Sequence, residues 1–310
     1  MIYTLTLNPA LDKQFLVNTI EFNQVLRTDI VQTDFGGKGF NVSRMLKALG
    51  SESVALGLIG GKTGETLTDG LAHLGIHTDF VRVSEETRTN ISIVPQDHSQ
   101  YIKVNEPGPV IQADEINNLV AKIAALAKNG DWWVLAGSLP RGIGADIYAR
   151  LIHLIQSQGA RVILDASGEP LLHGCRAAAY LAKPNAEEAE KLIGLRIETV
   201  EQAVLAARQV AALGVTHVVL SLGKLGALWH APEGTWLVYS PEIEEHNPIG
   251  AGDSMVAGLV WGLAQGLPVA DILRWGVACG AAAASLDGTA VGDQALVASL
   301  FAKTIAQQLT

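Results

Sequence analysis

Short apolar runs alternate with stretches of helical spacing along most of this chain, and that alternation limits its fold more than any other feature. Ile2 to Leu7, Ser53 to Ile59, Trp132 to Ala136, Arg161 to Asp165, Tyr180 to Lys183 and His217 to Leu220 have strand length and composition. Between them, Asp114 to Lys128, Ala145 to Gln158, Ala186 to Leu192, Val200 to Leu213 and Ala251 to Gln265 carry helical spacing. Strands apolar on both faces need cover on both sides, so the pattern predicts an α/β fold with a mainly parallel sheet between helical layers. Such sheets bind ligands beyond the carboxyl ends of their strands. Asn8, Ser138, Asp165, Asn185 and Ser221 to Gly223 each follow a predicted strand, so one edge of the sheet collects the polar chemistry.

Two segments break the rhythm. Lys13 to Asp34 and Arg88 to Asn105 alternate with period two and lack helices, and "TNISIV" and "QYIKVN" flank an expected turn at Gln96 to Ser99. They predict a small antiparallel sheet separate from the main one. Arg27, Arg88 and Lys103 lie on it, and a closing lid can deliver cations to a phosphorylated ligand while excluding water. A decorative hairpin is the alternative.

Composition narrows the function. The 310 residues suffice for one large α/β domain over 1–310, and nearly half are apolar. A net charge of −9 argues against non-specific binding to nucleic acid or anionic membrane. "MIYTLTLNP" has no basic leader, and no stretch of about 20 residues reads as a membrane span; the Val277 to Leu286 run is expected to be a buried helix. Cys175 and Cys279 show no metal or redox spacing, and a reducing cytoplasm is the expected setting.

Chemistry enters with two glycine clusters. Asn247-Pro248-Ile249-Gly250-Ala251-Gly252-Asp253-Ser254 precedes a Gly- and Ala-rich helical run. Its glycines permit a tight turn, and the bare amides of Gly250, Ala251 and Gly252 lie at the positive end of a helix, where an anion is stabilised. Asp253 would repel a bound phosphate there. It is either a first-turn acid or the base that takes a proton from an attacking hydroxyl. The earlier cluster, Gly36-Gly37-Lys38-Gly39-Phe40-Asn41, precedes a helix with Val42, Met45, Leu46 and Leu49 on one face. Bare amides, a mobile cation and an amide side chain together suit a polyhydroxylated, anionic ligand. A third candidate, Gly60-Gly61-Lys62-Thr63, imitates the end of a P-loop, but position 56 is Leu where that motif needs Gly, so a turn is expected.

"GGKGFNVS" and "NPIGAGDSMVAG", with "TLTLNPALDK", "TRTN", "VNEPGP", "GSLP", "KPNAEE" and "SLGKLGA" in order along nearly the whole chain, resemble the ribokinase-like (PfkB) carbohydrate kinases. They are most similar to the hexose-phosphate branch, which holds 1-phosphofructokinases and tagatose-6-phosphate kinases. The chain departs from the family at Asn247-Pro248-Ile249, where a Ser/Thr-Val pair usually precedes the Gly. The resemblance implies a three-layer ribokinase-like sandwich with a β lid that often forms a homodimer contact. It also implies ATP and Mg²⁺, a phosphorylated ketohexose as acceptor, and Asp253 as base. Gly37, Gly39, Asn41, Asp12, Asn90 and Ser138 would meet the sugar, with Lys38, Arg27, Arg88 and Lys103 serving its phosphate. Lys183 would face the nucleotide phosphates, while Asn185 and Glu188 act near magnesium through its water shell. Ser221, Gly223 and Gly226 would form a nucleotide loop, with an adenine slot by Ala278 to Ala283. Fructose 1-phosphate is the foremost expected acceptor, with tagatose 6-phosphate and fructose 6-phosphate as alternatives. A kinase for an unphosphorylated acceptor would have little use for Arg27 and Arg88. A binding protein without turnover would have no need of an intact Asp253 turn.

Overall fold

The computed structural model describes residues 1–96, 100–288 and 290–309. Ile2–Thr6 lies inside the main sheet, between Val54–Ile59 and Trp132–Ala136. Arg161–Asp165, Leu181–Ala182 and His217–Ser221 follow outward, all in parallel. Period-two alternation sends Trp133, Leu135, Val162 and Leu164 into one core and Trp132, Val134, Ala136 and Ile163 into the other. Helices Ala113–Leu126, Ile147–Ser157, Gly168–Arg176, Ala186–Ile193 and Val200–Ala211 cover the first face. Lys38–Ala48, Ala251–Ala264, Val269–Ala284 and Gln294–Phe301 cover the second. Each fully buried Leu, Ile or Val adds about 1.5–3 kcal/mol, so both faces of the sheet are held from above and below. The three-layer arrangement is the one the alternation predicts.

Several elements lie outside that pattern. Gly226–Ala231, Gly234–Tyr239 and Ile305–Leu309 extend the sheet antiparallel beyond His217–Ser221. The expected turn at Gly60 to Thr63 is instead the start of a helix, Gly61–His73. Its glycines hide the helical signal, and at least one is a packing requirement: a Cβ on Gly70 would sit 2.0 Å from the Phe35 ring.

The lid sheet runs Ile30–Gly36, Ala10–Val17, Arg88–Pro95, Ile102–Asn105. Its outer pairs are antiparallel hairpins, while the two inner strands pair in parallel, Ala10 opposite Arg88. Each hairpin supplies its own partner, and the two leave the main sheet side by side in the same direction. The lid therefore begins at Ala10, earlier than the alternation suggests. Of the turn expected at Gln96 to Ser99, residues 97–99 lie outside the described residues.

Candidate active site

The carboxyl ends of the central strands open into a cavity of about 230 Å³. Thr6 and Asn8 line it from the first strand, Gly137 and Ser138 from the Trp132–Ala136 strand, and Ala166 and Ser167 from the next. Gly37 and Lys38 close it on one side, Arg88 reaches in from the lid, and Glu188 borders it at a helix start. Asn8 is buried; its amide donates to the Pro107 and Leu139 carbonyls at 3.3 and 3.4 Å, while its Oδ1 has no partner.

The two glycine clusters meet here. Gly39 donates its N–H to Thr6 Oγ1 at 3.1 Å, and any Cβ at that position would sit 2.7 Å from the same oxygen. Glycine thus seats the start of helix Lys38–Ala48 directly on the first strand. Asn41, in the first turn of that helix, donates from Nδ2 to Asp253 Oδ2 at 2.8 Å across 212 positions of sequence. Gly250 caps helix Ala251–Ala264 in a left-handed conformation, φ 84°, which admits glycine most readily. Asp253 is buried in the first turn of this helix.

Beneath these groups lies a charge cluster. Asp165 ends its strand fully buried; Lys38 Nζ donates to its Oδ1 and Oδ2 at 3.2 and 3.3 Å, and Lys183 Nζ lies 3.4 Å from Oδ1. Lys183 is itself buried, and a Cβ on Gly252 would fall 3.5 Å from its ammonium, so this cation sits against the Gly250–Gly252 turn. Burial pushes the Asp253 carboxyl up to about 6, with Asp165 adding to the rise and Lys38, Asn41 and Lys183 opposing it. Burial also works against the Asp165 anion, yet Lys183 and Lys38 outweigh it and hold this carboxyl below the usual range. Lys38 keeps its proton more firmly than an ordinary lysine: burial disfavours its charge, but Asp165, Asp253 and Glu188 overcome that.

On the lid side, Asp12 sits within the Ala10–Val17 strand, where Asn90 of the neighbouring strand donates to its Oδ1 at 2.7 Å. Gly36 makes room, since a Cβ there would lie 2.1 Å from Asp12 Oδ2. Burial raises the Asp12 carboxyl, against Asn90, Lys103 and Arg88. Arg88 donates to the Asn8 carbonyl at 2.9 Å and the Glu106 carbonyl at 3.1 Å, while its Nε is buried without a partner. Arg27 is not brought to the cavity: it lies exposed on the loop beyond the Leu16–Ile30 end of the hairpin, opposite the end that carries Asp12.

On the remaining side, Asn185 and Glu188 form a reciprocal cap of helix Ala186–Ile193: Asn185 Oδ1 accepts from Glu188 N at 2.7 Å, and Glu188 Oε2 from Asn185 N at 2.9 Å. Ser221 bridges to Asn185, joining the glycine turn to this cap. Gly223 is exposed there in a short 3₁₀ turn, and a Cβ on Gly226 would strike the Val238 carbonyl at 2.0 Å. Ala278 to Ala283 are buried against the rest of the protein, and Gly280 in that run packs on the Ala251 carbonyl. Among the described residues, no group of three or more His, Cys, Asp or Glu side chains could hold a metal ion. No described helix is long and apolar enough to cross a membrane.

The sequence placed Asp165 only at a strand end and gave it no role, nor did it single out Thr6 or Ser167. The available signal was position: Thr6 and Asp165 lie at the carboxyl ends of predicted parallel strands and Ser167 just follows one, on the edge where ligands bind.

A model of the pfkB family of carbohydrate kinases matches residues 10–295. The chain belongs to that family. It is 36% identical over 284 residues to the 1-phosphofructokinase of Bacillus subtilis (strain 168), covering 92% of each chain. It is 31% identical to the 1-phosphofructokinase of Escherichia coli (strain K12), over 97% of this chain and 96% of that one. Among solved structures, phosphofructokinase-2 from Escherichia coli in complex with fructose-6-phosphate superposes with a TM-score of 0.90 at 31% identity, over 97% and 98% of the two chains. The same protein in complex with potassium gives 0.92 at 32%, with the same coverage. This pfkB-family chain is therefore a sugar kinase, and membership implies ATP as its phosphoryl donor.

Proposed function

We propose that this enzyme transfers a phosphoryl group from ATP to fructose 1-phosphate, giving fructose 1,6-bisphosphate. The observation that carries the chemistry is the Asn41–Asp253 hydrogen bond of 2.8 Å, which joins a sugar-suited loop to a base at a helix start. Asp253, with its carboxyl near 6, is charged at neutral pH yet basic enough to take a hydroxyl proton. Asn41 holds it by one oxygen and leaves the other for the acceptor. The amides of Gly250, Ala251 and Gly252, with Lys183 beside them, stabilise charge on the phosphoryl group in flight. Asp12, Asn90, Gly37, Gly39 and Ser138 orient the sugar. Lys38, Arg88 and Lys103 neutralise the phosphate it already carries.

Mg²⁺ fits this donor set. Glu188 borders the cavity and only its Oε2 serves the helix cap, so a hard oxygen remains for the ion or its water, with Asn185 alongside. Bound with ATP, the ion neutralises phosphate charge. Ser221, Gly223 and Gly226 lie next to this cap and suit the nucleotide.

The relatives named 1-phosphofructokinase favour fructose 1-phosphate, whereas the structural neighbour named with fructose-6-phosphate favours a 6-phosphofructokinase as second reading. A tagatose-6-phosphate kinase shares the same motifs. A coupled assay of kcat/KM with ATP on the three ketohexose phosphates decides: fructose 1-phosphate should lead by about tenfold or more, and an equal or higher value for another substrate overturns this choice.

The lid exposes Phe22, Val25, Val31, Ile91, Tyr101 and Val104, an apolar surface that suits a second copy of the chain. A homodimer through the lid is proposed on that basis. Sedimentation should show a dimer that Ile91→Asp with Val104→Asp converts to monomer; an unchanged mass would rule out this face. The unpaired thiols of Cys175 and Cys279 suit a cytoplasmic setting.

A further inference from the structure

We propose that Asp165 is a positioning residue for phosphoryl transfer, a fully buried counter-ion that holds Lys38 on the sugar side and Lys183 on the nucleotide side of Asp253. The inference rests on the kinase function above and assigns a role to a residue outside both glycine motifs. Three observations carry it. The Asp165 carboxylate has no solvent exposure and both its oxygens are taken by the two ammonium groups, at 3.2, 3.3 and 3.4 Å. The lysines come from different places, the start of helix Lys38–Ala48 and the residue just past strand Leu181–Ala182, so one carboxylate ties the two halves of the site. The Lys183 ammonium also lies against Gly252 in the anion turn.

A buried charge of this kind is costly unless paired, and an unpaired lysine beside a binding turn would swing or lose its proton. Asp165 prevents both. It also completes a balanced quartet: two carboxylates, Asp165 and Asp253, face two ammonium groups, Lys38 and Lys183. The remaining neighbours are Asn41, which donates to Asp253, Glu188, whose charge acts on Lys38, and the Tyr148 hydroxyl, which donates to Gly137 O at 3.0 Å. Within the quartet Asp165 raises the Asp253 carboxyl, while the lysines lower it. Asp165 thus positions the cations and keeps the base from becoming too weak.

Two measurements test this, one of them independent of turnover. Acylation of surface amines, followed by mass spectrometry across pH, reports the proton affinity of each lysine. Lys38 should titrate above the ordinary lysine value in the wild type, and Asp165→Asn should raise its labelling rate at pH 8.5 by about tenfold. Limited access would slow labelling without moving the midpoint. In kinetics, Asp165→Asn should lower kcat/KM by roughly tenfold or more, and move the acid limb of its pH profile down by roughly half to one pH unit. A merely structural role would not move that limb. A folded Asp165→Asn with unchanged labelling and an unchanged limb overturns the proposal. Should that variant not fold, a wild-type Lys38 midpoint at or below the ordinary lysine value overturns it as well. Absence of wild-type turnover on any ketohexose phosphate would instead remove the kinase function and leave the labelling result standing.

Discussion

On the main-sheet side of the cavity, Asp165, Lys183 and Asp253 are buried and, with Lys38, locked into one cluster of charges at fixed distances. On the lid side, Lys103 is exposed, and Arg88 is tied to backbone carbonyls rather than to a carboxylate. The difference follows from the two sheets. Parallel strands covered on both faces end in a dry edge, where opposite charges must be paired before folding can bury them. A four-stranded lid with one open face leaves Lys103 hydrated and Arg88 half-buried, with Nε directed to no protein partner. On the proposed function, chemistry falls to the rigid side, and the lid joins Lys38 in selecting the phosphorylated acceptor.

The sharpest way to break this division is at Asp253. Asp253→Asn keeps the volume and the Asn41 contact but removes the base, so kcat should fall by on the order of 10²-fold or more. Thermal stability at pH 8 should be unchanged or higher, because burial penalises the charged carboxyl that the substitution removes. Turnover near wild type in the folded variant would end the role of Asp253 as base. If Asp253 is the base, its deprotonated carboxylate is the active form in the wild type, and burial pushes that carboxyl up to about 6. The kcat/KM should be flat above that pH and fall about tenfold per unit below it. A profile flat down to pH 5 would contradict a carboxyl raised by burial.

The two regions were unequally legible in sequence. Strands such as Trp132–Ala136 announce themselves because burial on both faces demands an unbroken apolar run. Helix Gly61–His73 does not, since Gly61, Gly64 and Gly70 lower its helical signal while meeting packing needs that only the fold defines. Gly250, Gly252 and Asp253 could be singled out as a unit because turn, dipole and charge lie within a few residues. Asp165 could not, because its partners Lys38 and Lys183 approach it only after the strands have paired. Asp12 was assigned mainly by resemblance; its hydrogen bond to Asn90 depends on the parallel pairing of two lid strands, which period-two alternation cannot reveal.

Arg88 sits where the two regions join, and its substitution gives the smallest and most discriminating effect. Its guanidinium spans from the Asn8 carbonyl, beyond the first main strand, to the Glu106 carbonyl at the end of the lid, with Nε left over inside the site. Losing a charged hydrogen bond of this kind costs about 1.5–3 kcal/mol. Arg88→Ala should therefore raise KM for the sugar phosphate by roughly ten- to hundredfold with little change for ATP. Arg88→Lys keeps the charge but cannot hold both carbonyls and still face the ligand, so a smaller rise, roughly three- to tenfold, is expected on the same substrate. If charge alone mattered, the lysine variant would behave as wild type. If Arg88 only fastened the lid, both variants would weaken ATP and sugar phosphate alike, and the assignment of acceptor selection to the lid would fail with them.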